Sequence, residues 1–132
     1  MIKGIGVDLV QVSRIAKILA KHDERLASRL LTDREFSEFQ SLPNEIDARR
    51  ANFLAKRFAV KEAVSKALGT GFSQGVSWKD IELGHLKSGQ PTVMLKGIAK
   101  QLLGFNQTYN IHVSLSDDAG FVTAYVLIEL LD

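Results

Sequence analysis

The sequence has 132 residues, of which 45% are hydrophobic and 24% are charged, with no cysteine and a formal net charge of +2. These values exclude a disordered chain, a disulfide framework and a cysteine nucleophile, and they argue against nucleic acid as a partner. Because the most apolar run, residues 121–131, is too short to span a membrane, we expect a soluble cytoplasmic protein with one domain over residues 1–132.

Residues 2–10 alternate between apolar and small or acidic side chains, which predicts a β-strand. Gly4, Gly6 and Asp8 share one face of this strand. Because glycine weakens a strand, the two glycines indicate either a bulge or the close approach of a ligand or another backbone. A solitary aspartate here would commonly be a turn or cap residue. The opposite face carries Ile5, Val7 and Leu9.

A helix capped by Ser13 is predicted next, because apolar residues then recur at helical spacing. Its outer face carries three basic residues, Arg14, Lys17 and Lys21. On their own, such residues would usually form a solvated helix face.

Two further helices are predicted before the second strand. Thr32 and Glu35 have the spacing of a capping box, which predicts a helix that ends before Pro43, and a long helix is predicted over residues 45–68. The remaining predicted elements are strands over residues 75–83 and 92–95, a helix over residues 98–103, and strands over residues 109–116 and 121–131. This order, β-α-α-α-β-β-α-β-β, predicts an α+β fold with an antiparallel sheet packed against the long helix.

The long helix carries Glu62, Ser65 and Lys66 on one side, whereas its opposite side is apolar. Gly69 follows at a position that favours a positive φ, and Gly71 is expected to leave backbone N–H groups open to an anion. On its own, an i,i+4 Glu–Lys pair is usually a solvated helix-stabilising pair, and a glycine after a helix is usually a cap. A second carboxylate elsewhere in the chain would favour a phosphate-handling site.

Asp8 supplies that second carboxylate. Mg²⁺ prefers oxygen ligands and typically takes one or two protein carboxylates, with water and phosphate completing its coordination. Zinc would require histidine or cysteine ligands, and His22, His85 and His112 show no ligand spacing. Asp8 and Glu62 therefore favour a magnesium site over a zinc site.

Three blocks occur in order over almost the whole chain. The first is GIGVDL at residues 4–9 with VSRI at 12–15, the second is FLAKRF at 53–58 with KEAVSKA at 61–67, and the third comprises GTG at 69–71, GQP at 89–91 and HVSLS at 112–116. Together they resemble the family of holo-[acyl-carrier-protein] synthases, the small 4′-phosphopantetheinyl transferases. Residues 42–52 and 118–120 depart from the family pattern, but neither stretch contains a proposed site residue.

The resemblance implies the 4′-phosphopantetheinyl transferase fold and an enzyme of fatty acid biosynthesis. Its reaction would move the 4′-phosphopantetheine group from coenzyme A to a serine of apo-acyl carrier protein, with Mg²⁺ as cofactor and adenosine 3′,5′-bisphosphate as product. The alternative is a non-catalytic module that binds coenzyme A or a nucleotide and regulates a partner.

The resemblance also implies roles for individual residues. Asp8 and Glu62 would be the metal ligands, and together with Lys66 they would form the catalytic set. We favour Lys66 as a charge stabiliser, with Glu62 or a metal-bound water accepting the serine proton. The implied coenzyme A contacts are Arg57, Ser65, Gly69, Thr70, Gly71, Pro91 and His112. Without the resemblance, His112 would be interpreted as a solvated strand histidine.

Two further partners are implied by the resemblance. Acyl carrier protein is acidic and would dock on the basic stripe of Arg14, Lys17 and Lys21, where charge mainly governs encounter rate and orientation. A homotrimer is implied as well, with active sites between subunits. Asp8 and Glu62 would then come from one chain and further coenzyme A contacts from its neighbour.

Overall fold

The computed structural model describes residues 1–22, 24–43 and 48–132. Its elements are β1 (Ile2–Gln11), α1 (Val12–His22), α2 (Arg25–Leu30), α3 (Asp33–Ser41), α4 (Arg49–Leu68), β2 (Ile81–His85), β3 (Pro91–Leu95), α5 (Gly97–Gln101), β4 (Thr108–Asp118) and β5 (Phe121–Leu131). The α+β class is thus confirmed. No helix within these described ranges combines the length and the apolar character needed to cross a bilayer.

Two antiparallel sheets frame the long helix. β1, β5 and β4 form a three-stranded sheet in that order, which leaves β1 at an edge, and β2 pairs with β3 as a separate hairpin. α4 packs on β1 and β5, and fully buried residues such as Leu54, Val60 and Val64 join it to the core. The predicted packing of an antiparallel sheet against a long helix is therefore confirmed.

The two glycines of β1 allow this close packing. A Cβ atom on Gly4 would lie 2.0 Å from the carbonyl oxygen of Ala67, and one on Gly6 would lie 1.9 Å from that of Ala63. Real Cβ atoms do not approach backbone oxygens so closely, so a larger residue would push α4 away from the strand. Of the alternatives left open by the sequence, the approach of another backbone is observed at both glycines, and the pairing of β1 with β5 also shifts register between Ile2 and Gly4.

The structure corrects the predicted elements in the first half of the chain. The part of the chain that is described contains one more helix than predicted, because the six residues of α2 are too few to produce a clear helical period. α1 begins at Val12, so Ser13 lies within the first helical turn and does not precede it. The predicted long helix ends at Leu68 as expected, while its predicted start at residue 45 lies outside the described residues.

The predicted strand over residues 75–83 is wrong in its first part, where a short 3₁₀ turn spans Trp78–Asp80. The cause is local, because the Ser77 hydroxyl accepts a hydrogen bond from the N–H of Lys79 and the Asp80 carboxylate accepts one from the N–H of Ser77. The same kind of capping box was correctly predicted for α3, where Thr32 and Glu35 pair reciprocally.

One ion pair lies inside the core and was not identified from the sequence. Lys61 is 0% exposed, and its Nζ lies 2.7 Å from Oε1 of Glu35. The same ammonium donates to the carbonyl oxygens of Leu30, Trp78 and Ile81 at 2.9, 3.0 and 2.7 Å. Since these carbonyls belong to separate segments, Lys61 ties α4 to the side of the molecule opposite the three-stranded sheet.

Candidate active site

Asp8 and Lys66 meet at the free edge of the three-stranded sheet. The Lys66 ammonium donates to the carbonyl oxygen of Val7 at 2.9 Å and to Oδ1 of Asp8 at 3.3 Å. Glu62, one helical turn before Lys66 on α4, lies close enough for the charges of both residues to affect its titration. The structure therefore brings together the three residues predicted to form the catalytic set.

The carboxylates of this cluster outnumber its cations. Oδ2 of Asp8 is buried and has no hydrogen-bond partner in the described part of the chain. Burial raises the pKa of the Glu62 carboxyl, the charge of Asp8 raises it further, and Lys66 partly opposes both effects. Two carboxylates lie near one ammonium, so the negative charge of the cluster favours binding of a further cation.

The residues present fit a magnesium ion. Asp8 and Glu62 offer hard oxygen donors, and the buried Oδ2 of Asp8, unpartnered among the residues described, is a donor atom available to a cation. Among the described residues there is no group of three or more His, Cys, Asp or Glu side chains that could form an all-protein cage. An ion bound through two carboxylates, water and substrate phosphate matches this donor set.

Ser65 and the glycine loop, residues 69–75, follow the predicted pattern only in part. Ser65 is 0% exposed and its hydroxyl donates to the carbonyl oxygen of Glu62 at 2.7 Å, so it does not lie on the accessible side of α4. Gly69 ends the helix with a φ of 85°, as predicted. However, the N–H groups of Gly69, Thr70 and Gly71 donate to the carbonyls of the last helical turn and are not free for an anion in this conformation.

Arg57 lies apart from the carboxylate cluster. Its guanidinium stacks 3.6 Å from the ring centre of Phe53 and lies 3.8 Å from the carboxylate of Glu38 on α3. Only 6% of the residue is exposed, and its Nε has no partner among the residues the structure describes. Burial lowers the pKa of Arg57, whereas the negative charges of Glu35 and Glu38 raise it in part.

A cavity of about 290 Å³ lies between α4, the β2–β3 hairpin and β4, and it contains one of the predicted coenzyme A contacts, Pro91. Lys56 and His85 were not identified from the sequence, although Lys56 stands beside Arg57 in the second block. Burial lowers the pKa of His85, and the positive charge of Arg57 lowers it further. The lining residues are Lys56, His85, Gly89, Pro91, Ser114, Leu115, Ser116 and Asp117.

His112 lies on the opposite side of the sheet from Asp8. His112 and Ile5 both pair with Leu127 of β5, so they lie on the same face of the sheet. Asp8 lies on the other face, which α4 covers. Nε2 of His112 lies 3.1 Å from the carboxylate of Glu129. Within one chain, the sheet therefore separates His112 from the carboxylate cluster.

The predicted basic stripe is present on α1. Arg14, Lys17 and Lys21 are all exposed, and α1 contains no acidic residue. α2 adds two more exposed arginines, Arg25 and Arg29. Because α1 follows β1 directly, the stripe begins six residues after Asp8 in the sequence.

The chain is similar to known proteins over almost its whole length. The family model described as 4′-phosphopantetheinyl transferase superfamily matches residues 4–126. The chain is 43% identical over 129 residues to a holo-[acyl-carrier-protein] synthase of Vibrio cholerae, and the match covers 98% of both chains.

Solved structures show the same relationship. The fold is similar to that of the holo-[acyl-carrier-protein] synthase from Neisseria meningitidis, with a TM-score of 0.84, 38% identity and coverage of 98% of this chain and 99% of that one. It is also similar to the synthase from Bacillus anthracis in complex with CoA (3′,5′-ADP), with a TM-score of 0.78, 35% identity and coverage of 98% and 97%. The chain therefore belongs to the 4′-phosphopantetheinyl transferase superfamily, within its family of holo-[acyl-carrier-protein] synthases.

Proposed function

We propose that the protein transfers 4′-phosphopantetheine from coenzyme A to a serine of apo-acyl carrier protein and depends on Mg²⁺. The convergence of Asp8, Glu62 and Lys66 in a chain of this family carries the proposal. The serine oxygen forms a bond to the phosphorus on the pantetheine side of the pyrophosphate. The bond from that phosphorus to the bridging oxygen breaks, and adenosine 3′,5′-bisphosphate leaves.

The residues of the cluster hold the metal ion, stabilise charge and accept a proton in this proposal. Asp8 and Glu62 would hold Mg²⁺, which when bound supplies positive charge against the pyrophosphate. Lys66 donates to two acceptors and keeps an exposed ammonium, so we assign it charge stabilisation of the phosphate oxygens. The serine proton passes to a carboxylate oxygen of Glu62 or to a nearby water.

The nucleotide end of coenzyme A is assigned to Arg57, Pro91 and His112, with Thr70 and the flanking glycines beside the pyrophosphate. The cavity around Pro91 and the buried Nε of Arg57, which lacks a partner among the described residues, support this assignment. The Bacillus anthracis relative forms a complex with CoA (3′,5′-ADP), which supports the ligand class.

A homotrimer with active sites between subunits is part of the proposal. Ile5, Val7 and Leu9 on the outer face of β1 are 57%, 55% and 65% exposed, and Tyr125 of β5 lies across from Val7. A contiguous apolar sheet face of this kind typically marks a protein interface. His112 shares this face, so a neighbouring chain is the route by which it would reach a carboxylate cluster.

The test uses the protein with coenzyme A, Mg²⁺ and apo-acyl carrier protein, followed by mass spectrometry of the carrier. We expect the carrier to gain the mass of one phosphopantetheine group, and chelation of the metal to abolish the gain. No mass increase with a folded protein and a competent carrier would overturn the proposal in favour of a non-catalytic coenzyme A-binding module.

A further inference from the structure

Trp78 lies between two phenylalanine rings. Its ring centre is 5.3 Å from that of Phe58 on α4 and 3.7 Å from that of Phe72, with interplanar angles of 26° in both pairs. Phe72 belongs to the glycine loop that follows α4. The stack therefore joins the middle of α4 to the loop beyond its C-terminal end, and aromatic pairs of this kind add stability beyond the area they bury.

The backbone of Trp78 is also anchored to α4. Its carbonyl oxygen accepts a hydrogen bond of 3.0 Å from the Lys61 ammonium, which is fully buried and paired with Glu35. A hydrogen bond to a buried charged group is among the stronger ones in proteins. Trp78 is thus a fixed platform, and Phe72 is the loop side chain that packs on it.

The glycine loop is tied to the helical turn that carries Lys66. The N–H of Gly69 donates to the carbonyl of Lys66 at 3.0 Å, and those of Thr70 and Gly71 donate to Ser65 at 3.3 and 3.1 Å. A displacement of the loop would therefore pull on the carbonyls of Ser65 and Lys66. Beyond Phe72, Ser73 and the two residues that follow it are exposed, so the stack holds the middle of the loop.

We propose that Phe72 and Trp78 are positioning residues that clamp the glycine loop and thereby hold Lys66 in place for the pyrophosphate of the donor. This inference rests on the proposed function, because it takes coenzyme A as the donor. Lys66 faces the ligand, whereas Phe72 acts through the loop and the last turn of α4. The carboxylates of Asp8 and Glu62 are not part of the clamp, so we expect metal binding to be independent of it.

A double-mutant cycle tests this coupling, with coenzyme A binding measured by calorimetry in the presence of Mg²⁺. We expect Phe72→Ala to weaken binding about three- to tenfold, because coenzyme A must then order a loop that the aromatic pair no longer holds, and the energy of that pair sets the scale of the cost. In the Lys66→Met background the same substitution should change affinity less than about twofold. Phe72→Tyr, which keeps the ring, should bind like wild type. Within each Lys66 background, Phe72→Ala should leave the Mn²⁺ affinity unchanged.

Phe36→Ala is the matched control, because Phe36 stacks on Phe39 within α3 at 6.2 Å, away from the glycine loop. If Phe72→Ala fails to fold, Phe72→Leu replaces it, since leucine keeps apolar volume but lacks the ring. The proposal would be overturned if Phe72→Ala lowered the coenzyme A affinity equally in the wild-type and Lys66→Met backgrounds. It would also be overturned if neither Phe72 variant lowered that affinity. Because binding is measured without transfer, a wild type that binds coenzyme A but is inactive overturns only the proposed function.

Discussion

The Lys66 ammonium lies 3.3 Å from the Asp8 carboxylate, although the two residues are 58 positions apart in the sequence. The same ammonium donates to the carbonyl oxygen of Val7 on the edge strand. This contact depends on the close packing of α4 on β1, which Gly4 and Gly6 permit. The glycine face and the candidate active site are therefore two parts of one arrangement, and a change that moves α4 away from β1 also disassembles the site.

We expect Asp8→Ala and Glu62→Ala each to lower kcat at least about 100-fold, because each removes one carboxylate of the proposed two-carboxylate Mg²⁺ site. The rate of mass gain on the carrier measures the effect, and circular dichroism verifies the fold. Asp33→Ala, an exposed acid in the first turn of α3, is the control and should keep the wild-type rate. A site variant that also kept this rate would refute the metal assignment.

The pKa of Glu62 leads to a prediction for stability. In the folded protein, burial and then Asp8 raise this pKa above its ordinary value of 4.5. As the pH rises through the interval between the unfolded and folded values, the unfolded chain releases the proton first, so Glu62 progressively lowers the free energy of unfolding. We expect Glu62→Gln to be more stable than wild type near neutral pH and equally stable below the ordinary pKa, in urea unfolding without metal.

The Glu62 prediction includes an internal check with Mg²⁺. Adding the ion should stabilise wild type and leave Glu62→Gln nearly unchanged, since a ligand stabilises only the form that binds it. A difference in stability between wild type and Glu62→Gln that stayed the same across the pH range would contradict the raised pKa of Glu62.

Gly6→Ala should destabilise the protein by about 3 kcal/mol, because the new Cβ would collide with the backbone carbonyl of Ala63 and the helix must shift. Gly71→Ala is the matched control. A Cβ there meets no atom within 4 Å, and the φ of 58° alone costs about 1 kcal/mol. Chemical unfolding compares the two variants, and we also expect Gly6→Ala to lose activity. Equal losses in the free energy of unfolding for Gly6→Ala and Gly71→Ala would show that the packing of α4 does not restrict the residue at position 6.

Val7→Asp should convert a trimer to monomers and abolish activity, because it places a charge in the proposed apolar interface. Light scattering after size-exclusion chromatography measures the mass. Met94→Asp is the control, since Met94 is 55% exposed on the β2–β3 hairpin and lies outside that sheet face. A monomeric wild type, or a trimeric Val7→Asp variant, would rule out this face as the interface.

Arg14→Glu should raise the KM for acyl carrier protein and leave the KM for coenzyme A unchanged, because we expect the exposed stripe on α1 to attract an acidic carrier. The effect should shrink at high salt, where the attraction is screened. Lys100→Glu on α5 reverses one exposed charge away from the stripe and serves as the control. Unchanged kinetics with Arg14→Glu would refute the docking assignment.

Elements with strong local signals were predicted well. The capping box of Thr32 and Glu35 and the positive φ of Gly69 depend on interactions within a few residues, and both are present. The errors also have local causes. α2 is too short to show a period, and the side chains of Ser77 and Asp80 bond to nearby backbone and replace a predicted strand segment with a 3₁₀ turn.

The sequence by itself determined which chemical groups are available: the Asp8 and Glu62 carboxylates, the Lys66 ammonium and a basic first helix. Residue type and helical or strand spacing suffice for that. Only the tertiary structure decided which groups meet, because these contacts join distant segments through the packing of α4 on β1. That packing brings Asp8 to Lys66. The contact of α3 with α4 places Arg57 beside Glu38, and the register of β4 with β5 leaves His112 on the opposite sheet face.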